Sequence, residues 1–429
     1  MRRLAGSHRS VTGIVVLAAC LQAGVSVCDA PRAARPTGRV ASNVASPPIA
    51  PLPPALESPE CVDHRASLPS SAASPPQTRR LAVLRAQIAE VLTAYERRPL
   101  NTIEHTPWEV MHWAIAYGAA GRVLLGGEHG DPISGIGWLN AGGRCQGKVM
   151  LAVDGGRPIA LRGKGMQGHF SQYLAVLAQC RVAKKAVISV DGAEFTVADL
   201  IVSEQRACSE RAELTFALIA MAHYLPTDAT WKSGDGTEWS LPKLVEEELR
   251  QPLRGAPCGG THRLFGLAYA CQRRREQVGT LDGVYVAADR TVRANQQRLF
   301  AELQNPDGSF STEWFHRPED EDDVERKLRT SGHMLEFLVS TADQPVLYHP
   351  KTIAAVEFVT GILRAEPTRK WATGPMCHGL HSLSIYQERV WGALTSEAVA
   401  AYHGRMKAMS QGQGSGAARI ERISLRPFR

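Results

Sequence analysis

Two short segments of the chain carry a spacing that can bind a metal ion. Cys258-Gly-Gly-Thr-His262 and Cys377-His-Gly-Leu-His381 each place a histidine four residues after a cysteine. On a helix, positions i and i+4 share one face, about 5–6 Å apart at their Cβ atoms. Two thiolates and two imidazoles form a common tetrahedral zinc set. Cys258, His262, Cys377, His378 and His381 are therefore candidate ligands, with zinc as the expected ion. The same residues also admit a packing role. A buried cysteine behaves as a small hydrophobe, and Gly259, Gly260 and Gly379 let helices approach closely.

A second constellation points to proton transfer. The stretch HTPWEVMH puts His105, Glu109 and His112 at i, i+4 and i+7, near one helical face. A histidine base with an orienting carboxylate is a usual general acid–base pair. The candidate catalytic residues are His105 or His333 as base and Glu109 as the orienting or acid group. The structural reading of the same stretch is a helix start, with Pro107 in the first turn and Glu109 complementing the helix dipole.

These residues need a scaffold that brings them together. Helical periodicity of apolar residues recurs along the chain, in segments of two kinds. One kind is amphipathic and charged, as in RRLAVLRAQIAEVLTAYERR. The other is apolar and rich in small residues, as in ELTFALIAMAHYL. An apolar helix is buried on more sides, so it belongs inside. Inner helices are expected to begin near residues 105, 168, 210, 258, 327 and 376, each after an outer helix. The pattern predicts an all-α fold, an (α/α)6 toroid of alternating outer and inner helices. Residues 148–164 and 186–197 each hold an Asp-Gly turn between β-prone runs, which predicts two β-hairpin inserts. If the inner helices run parallel, their N-termini open at one mouth and favour anions. Glu104, His105, His169, Cys258, His262, His333, Cys377, His378 and His381 fall near those N-termini.

Three short motifs resemble known families. LQNPDGSFS, residues 303–311, resembles the Q-x-x-D-G-S-aromatic turn of terpenoid cyclases and protein prenyltransferases. That resemblance implies an α/α toroid. Cys377-His378-Gly379 is similar to the Cys-His-Gly of lanthionine cyclases, which are also α/α toroids. It implies that Cys377 and His378 bind zinc, with Cys258 as third ligand. Pro257 stands where that family has tryptophan. DEDD, residues 320–323, resembles the acid motif of type II terpene cyclases, but it lies within a dense charge run that reads as a solvated loop.

The ends of the chain read differently from its middle. Arg2, Arg3 and Arg9 precede a short apolar run, which reads as an export signal over residues 1–28. Leu17-Ala18-Ala19-Cys20 resembles a bacterial lipobox, which implies lipidation at Cys20; plain signal cleavage is the alternative. Residues 29–78 are rich in Pro, Ala and Ser and read as a disordered tether. The toroid domain is expected over residues 79–410, with a basic disordered tail at 411–429.

The net charge of +7 owes much to arginines near the two ends, so it does not argue for nucleic-acid binding. Seven cysteines lie beyond residue 28, with no CxxC pair, which excludes zinc-ribbon and thioredoxin spacings. In an exported protein some would pair as disulfides. No P-loop or GxSxG elbow occurs. The expectation is an exported protein of the cell envelope. It would be a metal-dependent hydrolase or lyase acting on a polar or anionic envelope substrate at the inner-helix mouth. The alternative is a non-catalytic toroid that binds an envelope glycan or protein, with the two hairpins as contact elements. Membrane association would come only through the signal or lipid anchor.

Overall fold

A computed structural model describes residues 75–392. The expected export signal, Cys20, Cys61, most of the tether and the tail lie outside the described residues. The chain is mostly helical. It opens with α1 (Pro75–Glu96), whose first four residues fall in the stretch assigned to the tether, followed by α2 (Pro107–Tyr117). Next come a hairpin, β1 (Arg122–Leu125) with β2 (Asp131–Ser134), and the short α3 (Gly135–Asn140). Hairpin β3 (Leu151–Asp154) and β4 (Arg157–Ala160) leads to α4 (Gln172–Gln179). Hairpin β5 (Val187–Val190) and β6 (Ala193–Thr196) leads to α5 (Val197–Ala207) and α6 (Thr215–Tyr224). A fourth hairpin, β7 (Thr230–Lys232) and β8 (Glu238–Ser240), precedes α7 (Leu241–Arg250). The remainder is helical: α8 (Thr261–Val278), α9 (Gly283–Arg298), α10 (Val324–Thr341), α11 (Gln344–Leu347), α12 (Pro350–Ala365) and α13 (Thr373–Trp391).

Local sequence explains where these elements begin. Thr106 caps α2 in a capping box: its hydroxyl oxygen accepts from the Glu109 amide, and the Glu109 carboxylate accepts from the Thr106 amide. Thr196 and Asp199 do the same for α5. Asp323 caps α10 by accepting from the amides of Glu325 and Arg326. The two expected hairpins form on two-residue turns with positive φ throughout, Gly155 (52°) with Gly156 (74°) and Asp191 (49°) with Gly192 (81°). Such turns match the twist of paired strands. The hairpins β1–β2 and β7–β8 have longer loops and lack that two-residue signal.

Six helices pack in a closed succession, α2 on α4, α4 on α6, α6 on α8, α8 on α10, α10 on α13, and α13 back on α2. These are the segments whose composition marked them as inner. Their interior faces are apolar; Trp113, Tyr173, Phe337 and Leu380 are almost wholly buried. Among the others, α1 packs on α12 and α13, α9 on α8, α12 on α10, and α7 on α6, α8 and α9. Charge is tolerated inside where it is paired. The buried carboxylate of Glu248 accepts from Arg263 Nε at 3.0 Å and from the Leu214 amide at 3.0 Å.

The QNPDGSF segment is a folded turn between α9 and α10. Gln304 pairs with Phe310, and Asp307 accepts from the amide and hydroxyl of Ser309. Gly308 has φ of 91°, and a Cβ there would stand 2.5 Å from the Ala354 carbonyl oxygen on α12. Only glycine fits so close an approach in that conformation. The DEDD run is structural as well: Asp320 pairs with Lys327 at 2.6 Å, and Asp323 is the α10 cap. Among the described residues, no helix is long and apolar enough to cross a membrane.

Candidate metal centre

The chain enters α8 through a tight left-handed bend. Cys258, Gly259 and Gly260 have φ of 50°, 62° and 83°. Two glycines make this run of positive φ affordable, and Cys258 is the non-glycine residue held there with them. The indole of Trp314 packs directly on the bend, where a Cβ on Gly259 would lie 2.3 Å from its Cγ. Thr261 Oγ donates to the Cys258 carbonyl at 2.8 Å. The bend folds the cysteine back over the first turn of α8. As a result, the ligating atoms of Cys258, His262 and His333 all lie within 4.8 Å of one another.

His333 reaches this point because α10 and α13 cross at a pair of glycines. A Cβ on Gly332 would stand 3.0 Å from the Gly379 amide nitrogen and 3.2 Å from its Cα. The absent side chains let the backbones meet, and the neighbouring residues meet with them. The imidazoles of His333 and His378 stack at 3.8 Å between centroids, His262 lies 5.1 Å from His378, and His112 of α2 lies 5.5 Å from it. Glu336, one turn after His333, sits between two histidines of α13. His378 Nδ1 donates to Glu336 Oε2 at 2.7 Å and His381 Nδ1 to Oε1 at 2.5 Å.

The hydrogen bonds set the tautomers. His333 Nδ1 donates to the Arg329 carbonyl at 2.7 Å, and His112 Nδ1 to the Trp108 carbonyl at 2.7 Å. With Nδ1 donating to a backbone carbonyl, Nε2 of His333 and of His112 carries the lone pair. This is how metal-binding histidines are usually oriented.

Burial, and then the neighbouring His378, push His262 and His333 well below the ordinary imidazole range. The same causes take His112 down to about 3. At neutral pH all three are uncharged, the form that binds a metal. At Glu336 burial opposes ionisation, but His378 and His381 outweigh it and hold the carboxyl well below its ordinary value.

The structure divides the candidate residues. It gathers Cys258 and His262 with His333, which the sequence offered as a base. Cys377 stands apart from them. It is fully buried, and burial, then the nearby Glu109 carboxylate, push its thiol up. Among the described residues, the one group of gathered ligating atoms excludes Cys377, His378 and His381. In a regular helix Cys377 points about 100° away from His378, so the adjacent pair does not converge on one ion. His378 and His381 hydrogen-bond to Glu336.

His105 lies in the turn before α2, with Nδ1 against the Asn101 backbone. Glu109 is occupied by its capping box and by the Thr373 hydroxyl at 2.9 Å. The two do not form an acid–base pair. Glu336 and Trp314 were missed in the sequence. The signal for Glu336 was present as His333-x-x-Glu336 on one face of an apolar helix; Trp314 carried no local signal. Five cysteines, Cys145, Cys180, Cys208, Cys271 and Cys377, are free thiols rather than disulfide partners.

A cavity of about 750 Å³ opens beside the cluster. It lies among the C-terminal halves of α8, α10 and α13 and the ends of α4 and α6, with His381 in its wall. The expected mouth was at the opposite, N-terminal ends of these helices. A small void of about 10 Å³, lined by His262, His378, Glu336 and Phe216, shares Gln179 and Phe265 with the larger cavity. Comparison with known proteins finds no matching family model, no matching curated protein and no matching solved structure.

Proposed function

We propose that the protein is an exported, zinc-dependent hydrolase or lyase built on an (α/α)6 toroid, acting on a polar or anionic substrate of the cell envelope. The closed succession of six apolar helices, each with partners outside it, supports the toroid. The observation that carries the function is the gathering of Cys258, His262 and His333 at the centre of that succession. One sulfur and two neutral imidazole nitrogens suit zinc. Donor atoms around zinc stand about 3.5 Å apart, so the set closes on an ion by small side-chain rotations. Three protein ligands leave a fourth position open, as in catalytic rather than structural sites. Zinc there would supply a water molecule of lowered pKa and a Lewis acid.

The chain's own residues complete the chemistry. His378 is placed to exchange a proton at Nε2, and Glu336 holds its Nδ1–H and stabilises its imidazolium. Trp314 and Phe216 cover the cluster with apolar surface and exclude bulk water. Substrate would enter from the large cavity and approach past Gln179 and Phe265.

Elemental analysis of the purified full chain, prepared without a metal-binding tag, tests this reading. The expected result is about one zinc per chain, lost in Cys258→Ser and His333→Ala and retained in Cys377→Ser. A chain without metal that keeps its fold and stability would remove the basis for the assignment.

A further inference from the structure

We propose that the large cavity is a binding site for a small organic anion, one bearing a carboxylate or phosphate, with Arg389 and Arg181 as the residues that hold its charge. This extends the reading above by naming what the cavity receives.

The location alone would favour the opposite charge. Helices α4, α6 and α10 end here, at Gln179, Tyr224 and Thr341, and helix C-termini carry partial negative charge. Five arginines line the cavity against four acids, Glu276, Asp289, Asp343 and Glu388, which leaves its wall with a net positive charge. Three of them are matched by acids: Arg275 pairs with Asp289 at 2.7 Å, Arg293 with Asp289 and Asp343 at 2.9 and 3.0 Å, and Arg273 with Glu276 at 2.5 Å.

Arg389 and Arg181 are not matched. Arg389 is half-buried and donates to the carbonyls of Val339 and Ala342 at 2.7 and 2.8 Å. Two of its five donors are thereby fixed, which sets the plane of the guanidinium and leaves the others for a ligand. Among the described residues it forms no ion pair, and Asp343, the acid that favours its charge, is already shared with Arg293. Burial lowers its pKa, the mark of a cation short of a counter-ion. Arg181 follows α4 directly, with φ of 56°, and is exposed in the same cavity without an ion pair among the described residues.

The remaining walls suit the body of an organic ligand. Phe265 and Tyr269 stack at 6.0 Å, one helical turn apart on α8, and present a continuous aromatic face. His223 Nδ1 accepts from the Tyr269 hydroxyl at 2.6 Å. Burial, then Arg273 and Arg181, lower the His223 pKa, so it remains a neutral wall. The volume matches that of small-molecule sites, and such sites combine apolar surface with a few placed polar groups. A ligand anchored at Arg389 would direct its far end toward His381 and the buried cluster beyond it.

Calorimetric titration of the full chain with inorganic phosphate and, separately, with malonate tests the site. Saturable binding of one anion per chain is expected, and the tighter of the two identifies the head group. Arg389→Gln and Arg181→Gln should each weaken binding at least tenfold. Arg364→Gln, which removes a remote surface arginine, should change it less than twofold. Cys258→Ser should also leave anion affinity within twofold, so the result does not depend on the metal reading. If Arg389→Gln fails to fold, the exposed Arg181→Gln carries the test. Absence of saturable binding, unchanged affinity in Arg181→Gln, or an equal loss in Arg364→Gln would overturn the proposal.

Discussion

Residues 258–262 and 377–381 carry the same Cys-x-x-x-His spacing and arrive at different chemistry. In the first, three successive left-handed residues fold Cys258 back so that its sulfur joins His262 and His333. In the second, every residue is in a regular helix. Cys377 is buried away from the cluster, and His378 and His381 meet Glu336 across the α10–α13 crossing. The first segment sets a cysteine sulfur and a neutral imidazole beside His333. The second makes a carboxylate-bound histidine pair. Spacing in the sequence therefore specifies a face only when the backbone is helical, and the glycines at 259 and 260 are what take the first segment out of that rule.

The largest expected effect separates the segments directly. Cys258→Ser should weaken zinc binding at least a hundredfold, while Cys377→Ser should change it less than twofold; competition with a chromophoric chelator measures both. A loss of equal size in Cys377→Ser would mean that the segments share one site.

A second contrast lies in protonation. His112 has its pKa depressed from 6.5 to about 3. Its contribution to stability is present above pH 6.5 and is lost as pH falls toward 3, because the unfolded chain takes up the proton first. The full loss amounts to about 5 kcal/mol for this group. Chemical denaturation followed from pH 7 to pH 4 should show a fall in stability that is shallower in His112→Asn. An unchanged slope would show that His112 is not held neutral.

Gly332→Ala probes how the two helices meet. The added methyl would press on the Gly379 backbone and should cost about 2 kcal/mol, within the range for overpacking. It should also weaken zinc binding by moving His333. Thermal unfolding and metal titration on the same sample report the two effects. The smallest change is expected at Glu109. Replacing Glu109 with Gln should lower stability by about 1 kcal/mol through the α2 cap, with metal affinity unaltered. A large change in metal affinity there would return Glu109 to the site.

Much of the scaffold was legible in local patterns. Apolar, small-residue-rich composition picked out the six helices that pack in closed succession, and Asp-Gly sequences marked two hairpins, because both signals arise from residues close in sequence. The short α3 and the hairpins β1–β2 and β7–β8 lacked such signals. In the site, the reading offered Cys258 and His262 as ligands and His333 as a base, set Cys377, His378 and His381 among the ligands, and did not name Glu336. Glu336 acquires its part only from residues 42 and 45 positions away on another helix.

The sequence by itself determined the helices, their caps, their apolar faces and the residue types available for chemistry, since these follow from propensity and periodicity over a few turns. Tertiary structure decided which of those residues meet. The Gly332–Gly379 crossing sets His333 against His378, and the left-handed bend at 258–260 brings the Cys258 sulfur to His262 and His333. The large cavity lies at the helix C-termini, where α4, α6 and α10 end. Such contacts depend on backbone approach between segments far apart in the chain, and no local pattern of residues encodes that distance.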